Sequence, residues 1–516
     1  MKSIALLITI ITLSTSLVTG ARILALLPYI GKSHFDVFEP YVKELAARGH
    51  QVTVLSHFPQ KQPIANYTDI SLVGSIPIDA TDRLDMNKAS GITMIQTAVK
   101  EISEFYKSCD RMLSFQSVQE LLESKEVFDA IITETFATDC FLPFVHKFNA
   151  PNIAISSCVM FPWSNDRMGN PDNPSYIPTH GLWFSDRMNF GERVLNVIMN
   201  QFLKTLHCVL EGIVGQGYAS KHFGDDIPWL SDIARNTRLL LVNSHFSLNR
   251  PRPLIPGIVE IGGIHIKSPK KLPKDLEDYL NGAEHGVILF SMGSMIRADT
   301  LPVEKRNAFL QAFSELPQRI VWKWESENVP GQPKNVKTLK WIPQFDVLNH
   351  PKVRLFMGHG GLLGTIEAVY AGVPMVGIPM VGDQPMNIKA VVTSGMGVYL
   401  GYSNITKESV LYALHTVLDQ PSYRENAKRM SQIYQDRPMS AMDTAIYWTE
   451  YVIRHKGAPH LRTAALDLPW YQYLLLDVLA VITIMVIALL YITYIITRTL
   501  LRRIISGKSK KKSKQS

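Results

Sequence analysis

The stretch Gly358-His359-Gly360-Gly361 ends one apolar run and opens a second with helical character, Leu362 to Ala368. Helix N-termini expose N–H groups that lack acceptors and carry about half a positive charge, so they attract phosphate. Glycines let the backbone approach such an anion closely, and His359 adds a donor. A glycine turn with one histidine is a weak signal; its neighbours make it specific. Upstream, Trp341 offers a face on which a base can stack, and Gln344 an amide for the edge of that base. Downstream, the Glu367 carboxylate can accept two hydrogen bonds from a ribose, and Asp383-Gln384 can grip the hydroxyls of a sugar. The order along the chain is base, phosphate, ribose, sugar: the layout of a nucleotide-sugar site.

A second candidate lies near the start. His34 follows Gly31-Lys32-Ser33 at the entrance of a helical pattern (Phe35, Phe38, Val42, Leu45), where Ser33 with Asp36 fits a capping box. A helix N-terminus disfavours the imidazolium, which keeps the ring neutral and able to accept a proton. On the residues alone, a surface or capping histidine is the simpler reading.

These side chains need elements to hold them. Ile23 to Leu27, the helical pattern closed by Gly49, and Val52 to Leu55 read as strand, helix, strand, with continuous apolar runs suited to strands buried on both faces. "FDAIITET" and "APNIAISS" continue the alternation. From Gly286 the plan restarts with "GVILFSMGSM", "RIVWKWE", "VKTLKW", "VRLFMG" and "VPMVGIP". Arg250 to Pro273 is rich in proline and glycine and reads as the linker. The fold class is therefore α/β, two Rossmann-like domains facing a cleft, with ligands expected beyond the carboxyl ends of the strands.

The two ends are of another kind. Residues 1–20 have Lys2, an uncharged apolar stretch and small residues at Val18 and Gly20, the pattern of a secretory signal peptide. Leu474 to Ile496 is 23 residues with Asp477 as its one charge, long enough to cross a bilayer. Aromatics border it and a basic tail follows, which predicts a type I single-span protein with its body in the lumen and its tail in the cytoplasm. Taking the tail's eight basic residues and Lys2 from the total leaves 44 Lys+Arg against 45 Asp+Glu, so the net charge of +8 is a topology signal and nucleic-acid binding has no support. Lys512 and Lys514 have the KxKxx spacing of a signal for return to the endoplasmic reticulum. Four cysteines, Cys109, Cys140, Cys158 and Cys208, allow three full pairings and form no zinc spacing. Asn66 and Asn404 open N-glycosylation sequons.

Trp341 through Gln384, 44 residues with Trp, Gln, His, Gly, Glu, Asp and Gln in register, resembles the signature of the UDP-glycosyltransferase family. The likeness extends to "RGHQVTVLS", "FSMGSM", "RHKGAPHLR" and the membrane span with its basic tail, and is greatest to the animal microsomal branch, its insect members in particular. It implies a GT-B fold: acceptor-binding domain 21–262, UDP-sugar-binding domain 263–456, membrane-proximal segment 457–473, transmembrane helix 474–496 and cytoplasmic tail 497–516. By this resemblance Trp341 stacks on uracil, Gln344 lies beside the nucleoside, His359 and Gly361 meet the phosphates, Glu367 binds ribose, and Asp383 with Gln384 binds the sugar. Ser294 resembles the loop that touches the diphosphate from the opposite side. Where plant members carry Asn and Ser, this chain has Leu363 and Gly364, so phosphate contact there falls to the Gly364 N–H or the Thr365 hydroxyl.

The resemblance also places a catalytic base at His34, which reverses the simpler reading. Its orienting carboxylate has two candidates: Glu134, which aligns by strand position, and Asp139, which keeps the family's residue type. The shorter side chain, just past the strand end, tips the expectation toward Asp139. No DxD motif is present, so no metal is expected on the diphosphate, and no bound cofactor is expected besides the UDP-sugar co-substrate. The implied reaction is inverting transfer of a hexose to a small lipophilic acceptor that is phenolic, steroidal, a polyketide or foreign. Likeness to insect members implies UDP-glucose, with glucuronate left open, and residence in the endoplasmic reticulum membrane. The alternative from a different class is a lumenal membrane protein that binds lipophiles or nucleotide sugar without turning them over. Oligomeric state is not legible.

Overall fold

The computed structural model describes residues 20–76, 104–136, 138–327 and 329–512. The expected signal peptide and Lys514 of the expected retrieval signal lie outside the described residues.

The first half is built on seven parallel strands: β1 (Arg22–Leu27), β2 (Gln51–Ser56), β3 (Tyr67–Ser71), β4 (Ala130–Glu134), β5 (Asn152–Ser156), β6 (Thr237–Val242) and β7 (Ile258–Glu260). Their order is β3-β2-β1-β4-β5-β6-β7. The second half repeats the plan with β8 (Val287–Ser291), β9 (Arg319–Lys323), β10 (Val336–Leu339), β11 (Val353–Gly358), β12 (Met375–Gly377) and β13 (Gly397–Tyr399), in the order β10-β9-β8-β11-β12-β13. Both sheets are buried on both faces, which is why their strands read as unbroken apolar runs. In β1, Ile23, Ala25 and Leu27 join one core while Leu24 and Leu26 join another on the opposite face.

This strand order reverses direction between β1 and β4 and again between β8 and β11. At such a switch point the following helices leave on opposite sides, opening a crevice at the carboxyl ends of the strands. Helix α1 (Lys32–Ala47) follows β1 and starts with His34 in its first turn. In that turn the expected Ser33–Asp36 capping box is absent: Gly31 is the N-cap, no side chain caps the helix, and Asp36 pairs instead with Lys32 four residues back. Beyond β5 come α2 (Pro162–Met168) and the long α3 (Phe190–Leu210), which runs into a π turn, Glu211–Gly215. The second half places α4 (Gln344–Leu348) before β11, α5 (Leu362–Ala371) after it and α6 (Gln384–Thr393) after β12.

Two features depart from the sequence reading. The proline- and glycine-rich linker contains β7, which pairs with β6 at the edge of the first sheet through the short apolar run at Ile258-Val259. The last helix of the body, α7 (Ala441–Arg454), returns to the first sheet, where Ala445, Ile446 and Val452 share a core with Ile23 and Ala25. Its Thr449 hydroxyl lies 2.5 Å from that of Tyr41 in α1. A separate unit, Thr463–Ser516, carries α8 (Leu476–Lys512), whose Leu476–Ser506 portion is long and apolar enough to cross a membrane.

Candidate active site

The glycine turn lies at the carboxyl end of β11. Gly360 has φ +82°, and a Cβ there would come within 2.4 Å of Ile388; glycine is required on both counts. The His359 imidazole is held between two backbones: a Cβ on Gly361 would lie 2.5 Å from its Nε2, and one on Gly293 of the "FSMGSM" loop 2.4 Å from its Cε1. The loop carrying Ser294 is thereby brought against the histidine. Burial, with Lys323 nearby, pushes His359 down to about 4, so the ring is neutral at physiological pH. Its Nδ1 is buried and without a partner. Helix α5 makes its first backbone bond from Thr365 N–H to Gly361 O at 3.0 Å. The preceding N–H groups of Leu362, Leu363 and Gly364 have no helical acceptor and remain for an anion.

Thr365 does not contribute in the expected way. It is fully buried and its hydroxyl donates to Gly361 O at 3.0 Å, the back-bond open to a helical threonine. Gly364 also makes room for the Gln344 amide, since a Cβ there would lie 3.1 Å from Gln344 Nε2. Gln344 donates to Glu367 Oε2 at 2.6 Å. Burial raises the Glu367 carboxyl to about 7, against the lowering pull of Gln344. Trp341 is 67% exposed, its ring face open to a base.

Asp383 occupies the N-cap position of α6 without a side-chain capping bond, and burial raises its carboxyl while Asn387 draws it down through a 2.9 Å hydrogen bond. Asn387 also donates to Gly360 O at 3.0 Å, tying the phosphate turn to the sugar end. Gln384 Oε1 accepts from the N–H groups of Met380 and Val381, which fixes the side chain and leaves its amide nitrogen for a ligand.

Across the cleft, His34 is 7% exposed, with Nδ1 2.5 Å from Glu134 Oε1 and 2.8 Å from Ser157 Oγ. The rings of Tyr29 and Phe136 flank it at 4.2 and 4.4 Å. With Nδ1 so engaged, Nε2 is the nitrogen available to a substrate. The expectation that leaned to Asp139 is corrected. Its carboxylate pairs with Arg167 and lies 3.6 Å from His207 Nε2; against the raising effect of burial, the Arg167 guanidinium and the contact with His207 hold it well below the usual carboxylate range. Asp139, His207 and Glu211 are the one group of metal-type side chains clustered among the described residues, and Arg167 already occupies its aspartate.

The family profile described as "UDP-glucoronosyl and UDP-glucosyl transferase" matches residues 26–512. The chain belongs to that family. The transferase is 45% identical to UDP-glycosyltransferase UGT5 of Dactylopius coccus over 92% of this chain and 91% of that one. It is 41% identical to UDP-glucosyltransferase 2 of the same insect over 98% of each, and 32% identical to UDP-glucuronosyltransferase 2B1 of Rattus norvegicus over 89% and 90%. In fold it is similar to the crystal structure of the glycotransferase of kitacinnamycin, with a TM-score of 0.57 and 17% identity, covering 84% of this chain and 99% of that one. The transferase is thus a GT-B enzyme that uses a UDP-sugar and a small acceptor.

Several residues at this site of the transferase carry no local sequence signal. Ser157 and Asn387 act through partners 123 and 27 residues away, and nothing in their own neighbourhoods marks them. Lys323 ends β9, is 8% exposed, bonds Glu325 at 2.6 Å and sets a positive charge near His359; a buried lysine inside an apolar run was the available clue. Cys109 and Cys140 form a disulfide, one arm of which adjoins Asp139; Cys158 and Cys208 are free.

Proposed function

We propose that the transferase moves glucose from UDP-glucose to a hydroxyl of a flat, lipophilic acceptor, with inversion and with His34 as general base. The contact that carries this reading is His34 Nδ1 to Glu134 Oε1 at 2.5 Å. The carboxylate holds the tautomer with its proton on Nδ1, so the Nε2 lone pair takes the acceptor proton. The freed oxygen attacks the anomeric carbon from the face opposite UDP. The bond to the diphosphate oxygen breaks, and the negative charge arriving there meets the α5 N-terminus and His359. Trp341, Gln344 and Glu367 would hold the uridine, and Asp383 with Gln384 the hexose. The donor reading needs no metal ion, because the helix terminus supplies positive charge where the diphosphate leaves.

A neutral hexose is favoured by the 41% identity to a UDP-glucosyltransferase. Aromatic rings running from His34 through Phe136 and Phe161 to Trp163 favour a flat apolar acceptor. Residence in the endoplasmic reticulum membrane is part of this reading, supported by the apolar helix and the basic tail with its Lys512 and Lys514 spacing. Asn66 and Asn404 are exposed and are proposed to carry glycans.

The test is a panel of UDP-sugars against pooled acceptors, read by mass spectrometry, with single-turnover kinetics of the His34→Ala variant. A full rate in that variant removes His34 from its role. UDP-sugar binding without any product would instead support the non-catalytic alternative.

A further inference from the structure

The imidazole of His34 has two oxygen atoms on one nitrogen: Nδ1 lies 2.5 Å from Glu134 Oε1 and 2.8 Å from Ser157 Oγ. Glu134 ends β4 and Ser157 is the first residue after β5, so two adjacent strands deliver both groups to the first turn of α1. Ser157 is buried and its backbone is held. Its carbonyl accepts from Asn243 Nδ2 at 2.8 Å; Asn243, fully buried at the end of β6, in turn accepts through Oδ1 from Gly263 N–H at 3.3 Å. On the other side Ser156 Oγ donates to Cys158 O at 3.1 Å.

A serine, a histidine and a carboxylate could form a hydrolase triad, and the geometry excludes one. In a triad the serine and the carboxylate sit on opposite ring nitrogens, so that one nitrogen takes the serine proton while the other is held. Here both oxygens are on Nδ1. The carboxylate at 2.5 Å draws the ring proton to that nitrogen, and no lone pair remains there to activate Ser157. The Ser157 oxygen therefore accepts from Nδ1–H, and its own proton is directed at Cys158 Sγ, 3.6 Å away.

We propose that Ser157 is a positioning residue for His34: its hydroxyl shares the Nδ1 proton with Glu134, fixes the plane of the ring and steadies the imidazolium that forms in the reaction. This rests on His34 being the general base. One acceptor on Nδ1 leaves the ring free to pivot about that hydrogen bond. A second acceptor, carried on another strand, removes the pivot, while Tyr29 and Phe136 bound the ring by contact at 4.2 and 4.4 Å. Nε2 is thereby aimed in one direction. When Nε2 takes the proton of the sugar acceptor, the proton on Nδ1 stays where it is and the Ser157 proton is not transferred. The ring is then a cation, and hydrogen bonds donated by a cation are stronger than those of the neutral ring. Ser157 thus contributes more in the transition state than in the ground state, which places its effect in kcat and not in KM.

The test is a four-member cycle in the full chain: the parent protein, Ser157→Ala, His34→Ala and the double variant. Each is assayed at steady state and in single turnover with the UDP-sugar and acceptor that give most product in the panel above. Alanine at 157 leaves no ring donor unpaired, because Glu134 still holds Nδ1–H, so the melting temperature is expected to stay close to that of the parent. The expected result is a kcat about tenfold lower in Ser157→Ala, the worth of one hydrogen bond to a charged group, with both KM values kept. In the His34→Ala background the same change should cost nothing further. Full kcat in Ser157→Ala overturns the proposal. So does an equal loss in both backgrounds, which marks an effect that does not pass through the imidazole, and so does a raised KM with kcat kept, which assigns Ser157 to substrate binding. A full rate in His34→Ala alone removes the general base and this proposal with it; a full rate in Ser157→Ala beside an impaired His34→Ala removes only Ser157.

Discussion

Glu134 Oε1 lies 2.5 Å from His34 Nδ1, joining the last residue of β4 to the first turn of α1, 100 positions apart in the chain. Asp139, five residues beyond Glu134, is committed to Arg167. The two carboxylates therefore have separable duties. Glu134→Gln is expected to lower kcat by about 10²–10⁴, the range for losing an oriented general base, with little change in melting temperature. Asp139→Asn strands the buried Arg167 guanidinium and is expected to cost about 3–5 kcal/mol of stability, with kcat per folded molecule largely kept. Steady-state kinetics beside thermal melts distinguish them; the opposite pattern would return the orienting role to Asp139.

The proposed ribose-binding role of Glu367 predicts that donor binding depends on pH. Burial puts its carboxyl at about 7, and an ionised carboxylate can accept from both hydroxyls of a ribose. Affinity for UDP-glucose, whose diphosphate does not titrate in this range, should therefore rise as pH increases through about 7 and level off above it. Calorimetric titrations between acid and alkaline buffers check this, and Glu367→Gln should flatten the profile.

The bareness of Gly361 holds His359 in place. In Gly361→Ala, the new methyl would lie 2.5 Å from His359 Nε2 and must push the ring out of its slot. Affinity for UDP is expected to fall at least about tenfold, corresponding to one lost charge-assisted hydrogen bond of roughly 1.5–3 kcal/mol. Isothermal titration with UDP measures it, and an unchanged affinity would separate His359 from the phosphates.

Trp341 is 67% exposed and contributes little to the core. Trp341→Ala should weaken UDP binding by about 1–3 kcal/mol, the usual worth of stacking a base on an aromatic ring, and leave the melting temperature nearly unmoved. A large drop in stability would mean that the ring supports the fold instead.

Legibility followed locality. The β1–α1–β2 unit and most strands of the second half could be read because strands buried on both faces leave short apolar runs, and a helix entrance at a strand's carboxyl end leaves glycines. The strand β7 was hidden inside a proline-rich stretch because an edge strand of three residues leaves almost no pattern. The Ser33–Asp36 cap read correctly by residue type and still failed, since Lys32 competes for the same carboxylate. The Thr365 hydroxyl, suited by residue type to a phosphate, turns back on Gly361 inside the buried helix.

The amino-acid order alone determined the α/β class, the succession of residues suited to base, phosphate, ribose and sugar, and the apolar helix with its basic tail. Each of these is written in neighbours a few positions apart. Only the tertiary structure decided which carboxylate meets His34, that Ser157 lies beside it, and which cysteines join. Those outcomes depend on which strands lie side by side and which faces they cover, and backbone pairing across a hundred residues leaves no mark in the local pattern of side chains.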